Sequence, residues 1–308
     1  MSKKTTYLLG ILFTIIIGTL LYCYLCDDCH CFPNDETKLE DTNIVAEPEV
    51  VSTTRNAFAV SDAKGDFNIK INDNFNFKAS NFSILEPLST DITSGVGSLK
   101  DYLVANPLKD IDITGYYRSD ETNSSAYPNL GLARANSVKN YLISQGVPSK
   151  QIDTHGQLND DFNPDDTSTL FGPLKFGIVT LEEGATNEEL EAACDAIRKN
   201  PIVLYFKTGQ AQINLTAEQR QKIEVMSRCV DKLGVKILSI GHTDNTGNAD
   251  ANMALGQGRA DFAKDYLVRN GILGDNIEAT SKGQTEPIAD NNTEEGRKEN
   301  RRTVITIN

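Results

Sequence analysis

The chain has 308 residues, long enough for two modest domains or for one domain behind a long tether. Hydrophobic residues make up 39% and charged residues 24%, as in folded soluble domains. There is no Trp, aromatics are only 7%, and the net charge is −13, so both a base-stacking surface and attraction to a phosphate backbone are lacking and a nucleic-acid partner is excluded.

Lys3 and Lys4 precede an uncharged run from Tyr7 to Leu25, and the next charges are Asp27 and Asp28. That run is long enough to cross a ~30 Å hydrocarbon core as a helix. Lysines before it and acids after it leave the N-terminus in the cytoplasm. Residues 1–6 are therefore expected as a cytoplasmic stub and 7–25 as a single transmembrane anchor, with the remainder in the periplasm. A cleaved signal peptide is the rival reading. The run exits through Tyr22, Cys23, Tyr24 and Leu25 with no small-residue cleavage site, and neither Cys23 nor Cys26 follows the small residues of a lipid-attachment site. No ionisable residue lies inside the span, which weighs against a motor or pump role.

Cys23, Cys26, Cys29 and Cys31 crowd the outer membrane edge around His30. A structural zinc site needs a fold that closes around its ligands, and none is expected there, so these residues read as sites of thiol modification or disulfide chemistry, or as filler. No metal or cofactor is expected. Residues 26–65 carry Asp35, Glu36, Glu40, Asp41, Glu47 and Glu49 without an apolar period, which predicts an acidic flexible linker.

The rest contains an internal repeat. Phe77-Lys78-Ala79-Ser80 matches Phe206-Lys207-Thr208-Gly209, with Ile84 and Ile213 at the same offset. Leu130-Gly131-Leu132-Ala133-Arg134-Ala135 matches Leu255-Gly256-Gln257-Gly258-Arg259-Ala260, and Lys139, Tyr141, Leu142, Gly146 and Ile152 match Lys264, Tyr266, Leu267, Gly271 and Ile277. Two copies of one fold are expected, at 66–182 and 201–308, joined by a helical linker at 183–200. Each reads as β-α-β-α-β, an α/β (α+β) sandwich with helices on one sheet. In the second copy Ile202–Phe206 is a strand. Thr216 and Gln219 form a capping box before a helix that Gly234 stops. Val235–Ile240 is a second strand, about 250–270 a second helix, and Ile277–Ser281 and Thr303–Ile307 are further strands. Cys194 and Cys229 can pair in an oxidising compartment; the sequence leaves their separation open.

The second copy places Gly241-His242-Thr243-Asp244 at a strand end, Asn252, Leu255, Arg259 and Ala260 on the next helix, and Asn300-Arg301-Arg302 before the last strand. This set resembles the OmpA-like (OmpA C-terminal) family, closely over about a third of the chain and weakly over another third. Gly256 departs from the serine usual there and should weaken the helix locally. The resemblance implies non-catalytic binding of peptidoglycan at the diaminopimelate of its stem peptide. That side chain ends in an ammonium and a carboxylate. By resemblance Asp244 takes the ammonium and Arg259 the carboxylate, a planar fork being suited to bidentate grip. Thr243 and Asn252 line the same pocket, and Arg302 is a further candidate for contact or support.

A second reading of Arg259 stands beside this one: it shares a helical face with Leu255, Phe262, Ala263 and Tyr266, and an inward Arg is tolerated when paired inside the fold. In the first copy Arg134 is kept, but the turn reads Gly115-Tyr116-Tyr117-Arg118, so Arg118 stands at the position of Asp244, with Asp120 a substitute only if the loop shifts. The first copy also lacks an Asn-Arg-Arg run. His242 reads as a turn hydrogen-bonder. No nucleophile elbow and no phosphate loop appears, so no enzyme is expected. The sequence supports a membrane-to-wall tether. The alternative is a periplasmic interaction module in which residues 66–182 dock an envelope protein partner and wall binding is secondary; a hydrolase or a redox protein is remote.

Overall fold

The computed structural model describes residues 52–63, 67–182, 187–205 and 213–308, together with Ile15 and Ile17. The expected anchor at 7–25 (those two isoleucines apart), Cys23, Cys26, Cys29 and Cys31, and the Phe206–Gly209 motif lie outside the described residues. Among the described residues no helix is long and apolar enough to cross a membrane.

The first half is built from β1 (Phe58–Ser61), β2 (Asn68–Ile71), β3 (Asn76–Lys78), α1 (Thr90–Ala105), β4 (Lys109–Tyr117), α2 (Leu130–Ser144), β5 (Ile152–Leu158), β6 (Thr169–Phe171) and β7 (Leu174–Thr180). The second half comprises α3 (Glu188–Lys199), β8 (Ile202–Tyr205), α4 (Ala217–Leu233), β9 (Ile237–His242), α5 (Ala249–Arg269), β10 (Ile277–Gly283), α6 (Glu294–Asn300) and β11 (Arg302–Ile307). In the first half β4 is central, parallel to β5 and antiparallel to β7. In the second, the order is β10-β9-β11-β8, with β9 parallel to β10 and antiparallel to β11. A strand, a helix and a parallel neighbour thus recur in both halves, a mixed α/β arrangement.

Local signals explain the element ends. Thr216 and Gln219 form the reciprocal capping box of α4, and Gly234 ends it at φ 70°, a conformation open to glycine. Ile92, Val96, Leu99 and Leu103 recur at helical spacing on α1 and are fully buried. Two glycine pairs set how closely helix meets sheet. A Cβ on Gly115 would collide with the carbonyl of Gly131, and one on Gly241 with the carbonyl of Gly256. Gly256 therefore permits the contact between α5 and β9 that carries the arginine of the site, and outweighs the ~1 kcal/mol helix penalty expected of it.

Two boundaries depart from the sequence expectation. The linker predicted to run to residue 65 gives way earlier: Phe58 and Val60 are fully buried in the first core, Phe58 meeting Phe176 edge-on at 4.8 Å. A four-residue strand beside an acidic stretch is too short to show a period. The helical linker expected at 183–200 is not a bare connector either. Its α3 buries Leu190, Cys194 and Ile197 in the second core, and Cys194 is disulfide-bonded to Cys229 of α4 with Cα atoms 6.1 Å apart.

The halves share an interface. Ala126, Tyr127, Leu132 and Ala133 of the first half belong to the core cluster of the second. Lys139 Nζ lies 2.6 Å from Asp231 Oδ2, and Lys232 Nζ lies 2.8 Å from both Asp110 Oδ2 and Asp153 Oδ2. Residues 51–308 accordingly form one compact unit.

The disulfide spans 35 residues. Loop-closure entropy predicts that the Cys194→Ala/Cys229→Ala variant loses about 3–4 kcal/mol of unfolding free energy, measured by urea titration. Adding reductant to the parent should move its midpoint to that of the variant.

Candidate functional site

The site forms where β9 ends. Thr243 N donates to Gly283 O at 2.8 Å, which ties the turn to the end of β10. Asp244 follows and folds the turn on itself by accepting from Thr246 N at 2.9 Å on Oδ1. Its Oδ2 accepts from Arg301 Nη1 at 2.8 Å. Burial alone pushes the Asp244 carboxyl up, but the Arg301 guanidinium and the Thr246 N–H outweigh it and hold the group below its ordinary value. Asp244 is therefore an anion at neutral pH.

Arg259 comes from α5, on the turn of helix that Gly256 brings against β9. It is half-buried, and its Nη1 donates to His242 O at 2.8 Å. That is its one hydrogen bond among the described residues. Burial lowers its pKa and the Asp244 charge offsets part of that, yet guanidinium keeps its proton at any neutral pH. Among the described residues, the other four of its five N–H donors have no partner.

Asp244 and Arg259 line one open cavity of about 590 Å³ with Thr243, Thr246, Asn252, Leu255, Glu294, Arg297 and Arg301. Thr243 lines the cavity, but its Oγ1 is buried and has no hydrogen-bond partner among the described residues. Asn252 is occupied: its Nδ2 donates to Asp244 O, Thr246 O and Gln284 Oε1 at 3.3, 3.1 and 2.6 Å, so it positions the turn. On the far side α6 supplies Glu294, which accepts from Arg297 Nη2 at 2.9 Å and Arg301 Nη2 at 3.0 Å. Carboxylate and guanidinium groups thus alternate around the cavity.

Four of the five sequence-predicted residues, Asp244, Arg259, Thr243 and Asn252, come together here. Arg302 does not line the cavity. It begins β11, is 5% exposed, and its Nη2 donates to Glu286 O at 3.1 Å. Its neighbour Arg301 caps α6 and turns into the cavity instead. The run Asn300-Arg301-Arg302 divides its labour: Asn300, fully buried, accepts from Ile288 N and Ala289 N to pin the preceding loop, and only Arg301 reaches Asp244. Sequence reasoning named Arg302 for contact or support; that residue does not line the cavity, and Arg301 does. It missed Glu294 and Arg297, which carried no signal beyond the run's charged flank.

His242 is 3% exposed, and its Nδ1 has no partner among the described residues; its carbonyl, not its ring, makes the contact with Arg259. Among the described residues no cluster of His, Cys, Asp and Glu could hold a metal.

A sequence model of the OmpA family matches residues 77–169 and 205–301, together more than half of the chain. The chain belongs to the OmpA family. It is 36% identical over 124 residues to the peptidoglycan-binding protein ArfA of Mycobacterium tuberculosis, a match covering 39% of this chain and 36% of that one. It is 44% identical over 107 residues to the peptidoglycan-associated lipoprotein of Buchnera aphidicola, covering 35% of this chain and 61% of the relative. Less than two thirds of either relative is spanned. Among solved structures, the peptidoglycan-associated lipoprotein from Burkholderia pseudomallei aligns at 26% identity and a TM-score of 0.28, covering 34% of this chain and 89% of that one.

Burial, reinforced by the nearby Arg302 charge, depresses the pKa of His242 from 6.5 to about 4. Between those values the unfolded chain binds the proton and the folded one does not. The contribution is intact above pH 6.5 and is lost as pH falls towards 4. Replacing His242 with Gln should therefore flatten this stretch of the stability–pH profile, by on the order of 3 kcal/mol at most, in urea titrations at pH 7 and 4.5.

Proposed function

We propose that the protein is a non-catalytic peptidoglycan-binding protein of the cell envelope, and that the cavity at the end of β9 grips the diaminopimelate of the stem peptide. The observation that carries this reading is the pairing of an under-occupied guanidinium with a carboxylate in one open cavity. Arg259 makes a single hydrogen bond among the described residues, and Asp244 faces the same space. A side chain ending in both an ammonium and a carboxylate matches that pair. The carboxylate would bridge the fork of Arg259, and the ammonium would share Asp244 with Arg301. Each contact to a charged group is worth about 1.5–3 kcal/mol, which gives a reversible grip on a wall that is never covalently attached. The names of the relatives, a peptidoglycan-binding protein and a peptidoglycan-associated lipoprotein, support the ligand class.

In the fuller reading, residues 7–25 anchor the chain in the membrane with the N-terminus in the cytoplasm, and two OmpA-like copies follow in tandem in the periplasm. The protein then links membrane to wall, and only the second copy binds. A second reading, docking of an envelope protein on the first half, draws on the exposed apolar side chains of Leu108 and Leu181, whose backbones are joined by a 2.8 Å hydrogen bond.

Because the halves share a core, the assay belongs on residues 51–308 intact. Sedimentation with diaminopimelate-type peptidoglycan should carry the protein into the pellet, whereas Asp244→Ala and Arg259→Ala, folded by circular dichroism, should each bind about 10- to 100-fold more weakly. Arg302→Lys should bind like the parent. Equal binding by all four chains would remove the pocket from the account and leave the docking reading.

A further inference from the structure

The first half treats its own arginine differently. Arg134, at the position of Arg259 in the internal repeat, is completely buried. Its Nη1 donates to Tyr116 O at 2.8 Å, at the end of β4, just as Arg259 Nη1 meets His242 O at the end of β9. There the likeness ends, because Nε donates to Asn81 O at 3.0 Å, Nη2 reaches Lys78 O at 3.5 Å, and both Nη atoms meet Glu121. Nη1 donates to Oε2 at 3.0 Å and Nη2 donates to Oε1. Two backbone groups complete the shell: Ser80 N donates to Oε1 at 2.8 Å and Arg118 N to Oε2 at 2.9 Å. Burial would raise the Glu121 carboxyl, and Arg134 with these two N–H groups overrides it, so the pKa is lowered. The space around the pair, walled by Phe162, Leu170 and Pro173, has about 0 Å³ left for water, against about 590 Å³ beside Arg259. The expected stand-ins for Asp244 lie elsewhere: Arg118 pairs with Asp120 on the surface.

Four donors from three separate segments converge on one carboxylate, and the carboxylate arrives on the side chain of a connecting loop, 118–129. Three of the four donors, from Arg134 and Ser80, lie outside that loop, and the fourth, Arg118 N, is at its first residue, so that Glu121 is inserted among them. We infer that the first half contains a complete carboxylate receptor whose occupant is the chain's own Glu121, and that emptying it creates a site for a small free carboxylate. The inference concerns a different site from the one proposed to grip peptidoglycan and does not rest on it. It also gives a physical reason for the first half to stay silent towards carboxylate ligands: an internal one is always present at very high effective concentration.

Glu121→Ala removes Cγ, Cδ and both oxygens, four heavy atoms that acetate replaces one for one. In the intact 51–308 unit this variant should melt about 10 °C lower, because Arg134 is left buried without its counter-charge. Acetate, titrated against chloride at constant ionic strength, should recover about half of that loss and saturate. Bulky pivalate should not. Any response of the parent chain belongs to the second half and is subtracted. Glu121→Ala/Arg134→Met should lose the acetate response while melting higher than Glu121→Ala alone. If Glu121→Ala does not fold in chloride, its refolding yield in acetate reads the same interaction. A variant whose melting point or refolding yield is indifferent to acetate, or a double variant that responds as strongly as the single, would overturn the inference.

Discussion

A guanidinium taken out of water has to be met by oxygen, and both halves are organised around that demand. Each presents an arginine from the helix that follows its central strand, and each offers the same first partner, the carbonyl at the strand's end. The glycine pairs Gly115–Gly131 and Gly241–Gly256 make this reachable, since any side chain at the crossing would hold the helix away from the strand. One carbonyl cannot satisfy five donors. The first half completes the set from within, with Glu121 and the carbonyls of Asn81 and Lys78. The second leaves the fork facing an open cavity, with the nearest carboxylate, Asp244, committed in part to Arg301.

The second half was largely legible because its signals are local. The capping box of Thr216 and Gln219 and the left-handed stop at Gly234 follow from short-range rules, while Asp244 and Arg259 stood out through the resemblance to the OmpA-like family. Where the sequence misled, the deciding information was not local. Arg301 and Arg302 are neighbours, and which one faces the cavity depends on the residue at which β11 starts to pair with β8 and β9. Gly256 looked like a cost to a helix because helix propensity counts only the helix. Glu121 was invisible because nothing in a loop's composition says that its side chain turns inward; an acid three residues past the turn, in a chain that kept Arg134, was the signal available.

The interface between the halves was equally hidden. Tyr127 is 1% exposed only because Ser227 and its neighbours in α4 cover it, and Lys139 and Lys232 are tolerated there only because Asp231, Asp110 and Asp153 meet them. Such buried pairs add little net stability, but removing one partner costs about 3–5 kcal/mol, so they fix the arrangement strongly. The repeat pattern suggested separate beads on a chain; the side chains weld them.

That weld has a mechanical meaning. A pull delivered at the N-terminal end of β1 need not travel to the Asp244–Arg259 cavity along the covalent connection between β7 and α3 alone. It is shared with the ion pairs of Lys139 and Lys232 and with the core that Tyr127 enters. Tension is spread over several parallel paths, so the two halves bear load as one link, and the geometry of the cavity is shielded from strain on the chain that precedes it.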